Sequence, residues 1–233
     1  MSPILPPELR TRLIEAYAYH APLPLKRLTS KKLGLPLRRE VHGSDLLFIH
    51  VPKNAGTTIS TQLYGGHIGH RSARYYQSCD PDFFSRTKSF AIYRNPVDRF
   101  VSAFKYARKG GSQIVPASKH VIRFANSFDT ARDCAQHIAT LGSMARDQLD
   151  PVFRSQSWYL CGDDQRLLVT DLFDISQISG STFAYNGFVF DMGIRINSEN
   201  YPYYTDTDQD LVKAVRAAYP EDFHLLKWTS IPK

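Results

Sequence analysis

The sequence predicts a single α/β domain with a central parallel sheet flanked by helices. Two strand-turn-helix units carry that prediction, one over residues 46–64 and one over residues 89–107. In each, a short apolar run stops at a proline-containing turn and a helix follows. Alternating strand and helix favours parallel pairing. The chain has 233 residues, 42% of them hydrophobic, which suits one core of this size. Residues 1–44 read as a basic, proline-containing segment, and residues 45–233 as the folded domain.

The N-terminal segment carries eight Lys or Arg against three acids, so it holds most of the net charge of +7. Pro3, Pro6, Pro7, Pro22, Pro24 and Pro36 interrupt it, leaving room for one helix over 7–19. Such a segment suits contact with an acidic glycan or a membrane surface, or serves as a solvated arm. It lacks the aromatic-basic interleaving of a nucleic-acid platform.

Residues 46–51 form the first apolar run, about the length of a buried strand. Pro52 ends it, having no N–H for a ladder. Gly56 relieves the turn sterically, so that backbone can approach a ligand. Thr57 and Thr58 open a helix ending near Leu63 or Tyr64. The first N–H groups of a helix lack internal partners, and with the helix dipole they favour an anion. Lys53 adds a mobile charge. The order differs from the nucleotide-triphosphatase loop, in which Lys follows the last Gly and precedes Ser or Thr.

The second run, residues 89–94, breaks at Asn95-Pro96, and a helix is predicted over 97–107 with Phe100, Val101, Phe104 and Ala107 toward the core. Arg94 lies at the strand end, and Ser102 two turns down the helix on the same side. A guanidinium suits phosphate oxygens. Arg99 reads either as a further contact or as a structural residue paired with Asp98 or another helix carboxylate. Two anion sites at this spacing imply a ligand with two separate phosphate groups.

Between the units, Gly65-Gly66-His67-Ile68-Gly69-His70 places two histidines in a glycine-rich loop. Either His67 or His70 suits a general base, both could be plain loop residues, and a His-x-x-His metal pair is conceivable. No cysteine or acid lies close in sequence, so no metal is expected.

Together, Pro52-Lys53-Asn54-Ala55-Gly56-Thr57-Thr58 and Arg94-Asn95-Pro96 with Arg99 and Ser102 resemble the sulfotransferases that use 3′-phosphoadenosine 5′-phosphosulfate (PAPS). The Val-Pro-Lys-Asn-Ala-Gly-Thr form is most similar to their carbohydrate branch, related to uronyl 2-O-sulfotransferases. The resemblance covers residues 46–107, and extends weakly over 156–160 and Asn197-Ser198. It implies a P-loop-like fold and a reaction that moves a sulfuryl group to a hydroxyl of a carbohydrate or glycolipid. Lys53, Asn54, Ala55, Gly56, Thr57 and Thr58 would hold the 5′-phosphosulfate, with Lys53 also on the transferring group. Asn54 stands where many relatives carry a hydroxyl residue. Arg94 and Ser102 would hold the 3′-phosphate, and Gln156 would face the site. His70 would be the base, with His67 second, and no metal is required.

Downstream, Lys105, Arg108 and Lys109 before Gly110-Gly111 suit one wall of an acceptor cleft. Helices are predicted over 118–126, 129–141 and 206–219, a helix or loop-helix over 150–160, and a strand over 166–171 ending in Asp171. That strand supports the rival reading, a nucleotide-dependent kinase with a magnesium-binding Asp171, although the loop lacks Gly-Lys-Ser/Thr. A non-catalytic anionic-glycan-binding protein is the second rival. No apolar run reaches eighteen residues and no signal pattern opens the chain, so no membrane span is expected. Cys79, Cys134 and Cys161 are widely spaced and suit free thiols in a reducing, cytoplasmic setting.

Overall fold

A computed structural model of the chain describes residues 37–112, 115–178, 182–193 and 208–230, together with Leu13, Ala16, Tyr17 and Leu25. Of the helix predicted over 7–19 only Leu13, Ala16 and Tyr17 are among the described residues, and each is helical; the Asn197-Ser198 region lies outside them.

Leu46–Ile49 (β1), Lys88–Tyr93 (β2), Asp171–Asp174 (β3) and Thr229–Ser230 (β6) form a parallel sheet in the order β1-β2-β3-β6. β1 is buried at every position and β2 at every position after Lys88, which explains why both read as unbroken apolar runs. Ile49 pairs with Ala91, and Tyr93 with Asp174. The segments leaving β1 and β2 therefore emerge side by side at the C-terminal edge of the sheet, the edge where open α/β sheets hold ligands.

Gly56–Tyr64 (α1) follows β1, and Pro96–Arg108 (α4) follows β2. Between them stand Ala73–Cys79 (α2) and Pro81–Arg86 (α3). Asn95 caps α4 by accepting from Val97 N–H at 2.9 Å, with Pro96 at its first position. The later helices predicted by periodicity are Lys119–Asn126 (α5), Ala131–Thr140 (α6) and Gln209–Ala218 (α8). Residues 150–160 form a 3₁₀ turn, Pro151–Phe153, followed by the short helix Gln156–Leu160 (α7).

Two apolar clusters hold these layers. One joins the sheet to α1, α2 and α7, and the other joins α4, α5, α6 and α8 around Phe100, Phe153 and Tyr219. The antiparallel hairpin Thr182–Tyr185 (β4) and Phe188–Asp191 (β5) closes the first cluster. Its turn, Asn186-Gly187, has φ of 49° and 83°, the left-handed pair of a tight hairpin. Phe183 lies with its ring centroid 4.9 Å from that of Phe173 in β3. Gln62 of α1 pins the hairpin, donating to Asp191 C=O at 3.0 Å and accepting its N–H at 2.8 Å.

The strand predicted over 166–171 begins only at Asp171. The apolar stretch before it is a loop, bridged to Cys161 at Leu167, and the parallel ladder starts where the chain reaches β2. Asp171 thus lies at the edge of the sheet opposite the two loops. Its carboxylate accepts from Tyr185 Oη at 2.6 Å and Ser230 Oγ at 3.0 Å. The three cysteines are free and buried, and burial pushes each thiol up to about 12, which disfavours the thiolate. Among the described residues no helix is long and apolar enough to cross a membrane.

Candidate functional site

The loop after β1 is strained. Lys53 and Ala55 take left-handed φ of 70° and 57°, a conformation that costs a residue with a Cβ roughly 1–2 kcal/mol. Ala55 is the N-cap of α1 and gives it no side-chain acceptor. The first turn of the nine-residue helix, with half-buried Thr57 and buried Thr58, thus opens without a capping side chain. Gly56 has a role that its place in the sequence does not show. A Cβ there would overlap the His50 ring at Cδ2, Nε2 and Cγ. The glycine makes room for a histidine, and the unusual backbone angles fall on its neighbours.

Arg94, at the end of β2, reaches across to this loop. Its Nη1 donates to the Lys53 carbonyl at 3.0 Å. The Lys53 ammonium lies 4.4 Å from the ring centroid of Tyr106 on α4. Half-buried Ser102 sits one turn earlier on that helix, on the same face as Tyr106. Lys53, Arg94 and the Ser102–Tyr106 face are therefore brought together. On the following turn, Arg108 donates to Phe128 C=O at 3.2 Å and Asp129 C=O at 2.9 Å, so it braces the helical layer and does not line a cleft.

Beneath the two loops runs a buried polar network. Asn54, 1% exposed, donates from Nδ2 to Ile92 C=O and to Gln156 Oε1, both at 2.7 Å. Gln156 donates to Arg94 C=O at 2.8 Å and accepts Arg94 N–H at 3.1 Å. Asp222 accepts the N–H groups of Gln156 and Ser157, each at 2.8 Å. Arg99, 1% exposed, donates to Pro52 C=O at 3.3 Å and Val152 C=O at 3.1 Å. Burial pushes the Asp222 carboxyl up, while the charge of Arg99 and the two amides pull it back.

This network places three residues singled out in the sequence. Asn54 turns its amide inward, and Gln156 is wholly buried under the site, because both satisfy peptide groups that the strand-to-helix corners leave unpaired. Arg99 is structural, with carbonyls as partners in place of Asp98. Asp222 is the member with no forewarning in the sequence. It lies in the 3₁₀ segment Pro220–Trp228, remote from every motif.

The histidine loop folds against the same corner. His70 Nδ1 lies 3.3 Å from the His50 carbonyl. The ring centroids of His50 and His70 are 4.3 Å apart, and those of His67 lie 5.0 Å and 5.1 Å from them. Burial, then the neighbouring His67, lowers His70 to about 4, with smaller contributions from Arg99 and Lys53. His50, buried at the end of β1, is pushed well below the ordinary histidine range by burial, then by His70 and His67. His70 is neutral at pH 7 and keeps a lone pair for a proton. An anion beside Lys53 would offset the local positive charge and raise its basicity.

Two surface recesses among the described residues lie away from the loops. One of about 380 Å³ is lined by Arg132, Gln136, Asp210 and Lys213, and another of about 100 Å³ by Arg74, Trp158 and Tyr219. Neither includes a residue of the two loops. Compared with known proteins, the chain matches no protein-family model, no curated protein and no solved structure.

Proposed function

We propose that this protein is a sulfotransferase with a P-loop-like core, which moves a sulfuryl group from PAPS to a hydroxyl of a carbohydrate or glycoconjugate. The observation that carries the reading is the direct contact between the two corners, Arg94 Nη1 on the Lys53 carbonyl, with the His70 loop packed against the first of them. One nucleotide with phosphates at both ends matches two cationic corners held at a fixed separation. The N–H groups of the first turn of α1, Lys53 and the Thr57 and Thr58 hydroxyls would take the 5′-phosphosulfate. Arg94 and Ser102 would take the 3′-phosphate. Asn54, Gln156 and Arg99 position these groups and do not touch the ligand.

In the transfer step the acceptor oxygen forms a bond to sulfur as the bond from sulfur to the 5′-phosphate oxygen breaks in line. His70 takes the hydroxyl proton, and adenosine 3′,5′-bisphosphate leaves with its electron pair. Lys53 and the helix N–H groups stabilise the charge that grows on the sulfuryl and phosphate oxygens. A kinase reading would need an acid near the phosphates to hold magnesium. Asp171 lies at the opposite sheet edge and is engaged by Tyr185 and Ser230.

Adenosine 3′,5′-bisphosphate is expected to raise the melting temperature of the protein. Lys53→Ala and Arg94→Ala are each expected to weaken its binding by about 10- to 100-fold, the worth of a charge-assisted hydrogen bond. Absence of any shift at saturating ligand would overturn the reading, as would full binding in both variants.

A further inference from the structure

We infer that His50, His67 and His70 form a binding site for a divalent transition metal of the zinc class. One ring nitrogen from each lies within 4.8 Å of the others. His50 is fixed at the end of a buried strand, while His67 and His70 sit on a glycine-punctuated loop that folds over it. His50 Nδ1 is buried and has no hydrogen-bond partner among the described residues, an unusual state for a polar atom in a protein interior and one that a cation would relieve.

The surroundings suit nitrogen ligation. With Nδ1–H of His70 donated to the His50 carbonyl, the lone pair is left on Nε2, which is how ligating histidines are oriented by a backbone acceptor. Zinc–nitrogen bonds of roughly 2.0–2.1 Å in a tetrahedron set nitrogens about 3.3 Å apart, so the set must contract by roughly 1.5 Å at most. The loop can supply that movement. Gly65 and Gly69 have φ of 73° and 80°, and no atom crowds Gly65, Gly66 or Gly69. His67 is the weakest of the three, because its Nδ1 accepts from Gly69 N–H at 3.1 Å. To ligate through Nε2 it must move its proton to Nδ1 and release that bond.

Three neutral ligands leave a fourth position open. The nearby charges of Lys53 and Arg99 act against a dication, so the site binds more weakly than one with carboxylate ligands. A metal on His70 takes the lone pair that proton abstraction uses, so occupancy and transfer exclude each other. That consequence rests on the sulfotransferase reading; the site itself does not.

The test is a titration of the full chain with Co²⁺ after chelator treatment and without nucleotide, read by visible d–d absorption. The expected result is a four-coordinate spectrum saturating at one equivalent and displaced by Zn²⁺. His67→Ala and His70→Asn, both in the loop, are expected to lower the affinity roughly tenfold or more, while exposed His120→Ala leaves it unchanged. No stoichiometric binding, unchanged affinity in both loop variants, or equal loss in His120→Ala would overturn the proposal. A melting curve of each variant separates loss of ligands from loss of fold.

Discussion

Asp222→Ala lowers the unfolding free energy by about 3 kcal/mol or more, read as a fall in the urea midpoint at unchanged slope. The carboxylate lies at the bottom of the network, where it accepts the N–H groups of Gln156 and Ser157 and faces the charge of Arg99. Its removal leaves two buried amide donors and a buried guanidinium undercompensated, and each unsatisfied group costs about 1–3 kcal/mol. Asp222→Asn keeps the shape but turns an NH₂ donor toward one of the two N–H groups, so it is intermediate. Asp210→Ala is the control. Its ion pair with Lys213 is exposed, and the change stays under about 1 kcal/mol. The loss in Asp222→Ala extends to ligand binding, since Gln156 depends on Asp222 and the Arg94 backbone depends on Gln156. If Asp222→Ala melted like the control, the network would not be what holds the corners.

His70→Ala severely slows transfer while leaving nucleotide binding intact. A positioned base contributes about 10²- to 10⁴-fold to the rate. The His70 side chain approaches the His50 carbonyl and packs on the rings of His50 and His67, and none of these groups holds a phosphate in this reading. The thermal shift given by adenosine 3′,5′-bisphosphate therefore stays near the wild-type value, while single-turnover sulfuryl transfer falls by that factor. A variant with wild-type transfer would move the base elsewhere, first to His67. Loss of the thermal shift as well would make His70 a support of the phosphate corner.

The two strand-to-helix corners were legible because their chemistry is local. An apolar run, a proline break and a capping asparagine lie within ten residues of one another at 88–97. The helices of the second cluster were legible for the same reason, with Ser118 and Thr130 placed where a cap belongs. The polar network was not, because its partners are far apart in the chain. Asn54 and Gln156 are 102 residues apart, and Gln156 and Asp222 are 66. No spacing rule joins such residues, and a polar loop position gives no sign of whether its side chain faces a ligand or the core. Asn54 faces the core, where its amide donates to the Ile92 carbonyl near the end of β2.

Other features carried signals that periodicity alone does not weigh. Asn186-Gly187 between two alternating aromatic stretches is a hairpin signature, and the hairpin is there. The stretch 167–169 is as apolar as a strand, yet it bridges to Cys161 before the ladder begins at Asp171. His50 looked like the tail of a strand. It becomes the third member of a histidine cluster because Gly56 leaves its ring a place to sit.

The central claim is that one ligand spans both corners, and calorimetric titration with three nucleotides tests it most directly. Adenosine 3′,5′-bisphosphate is predicted to bind at least about tenfold more tightly than either 5′-AMP or 3′-AMP, since each lost phosphate forfeits charge-assisted contacts at one corner. Equal affinity for the bisphosphate and one monophosphate would contradict a bridging ligand, because the second corner would then add nothing.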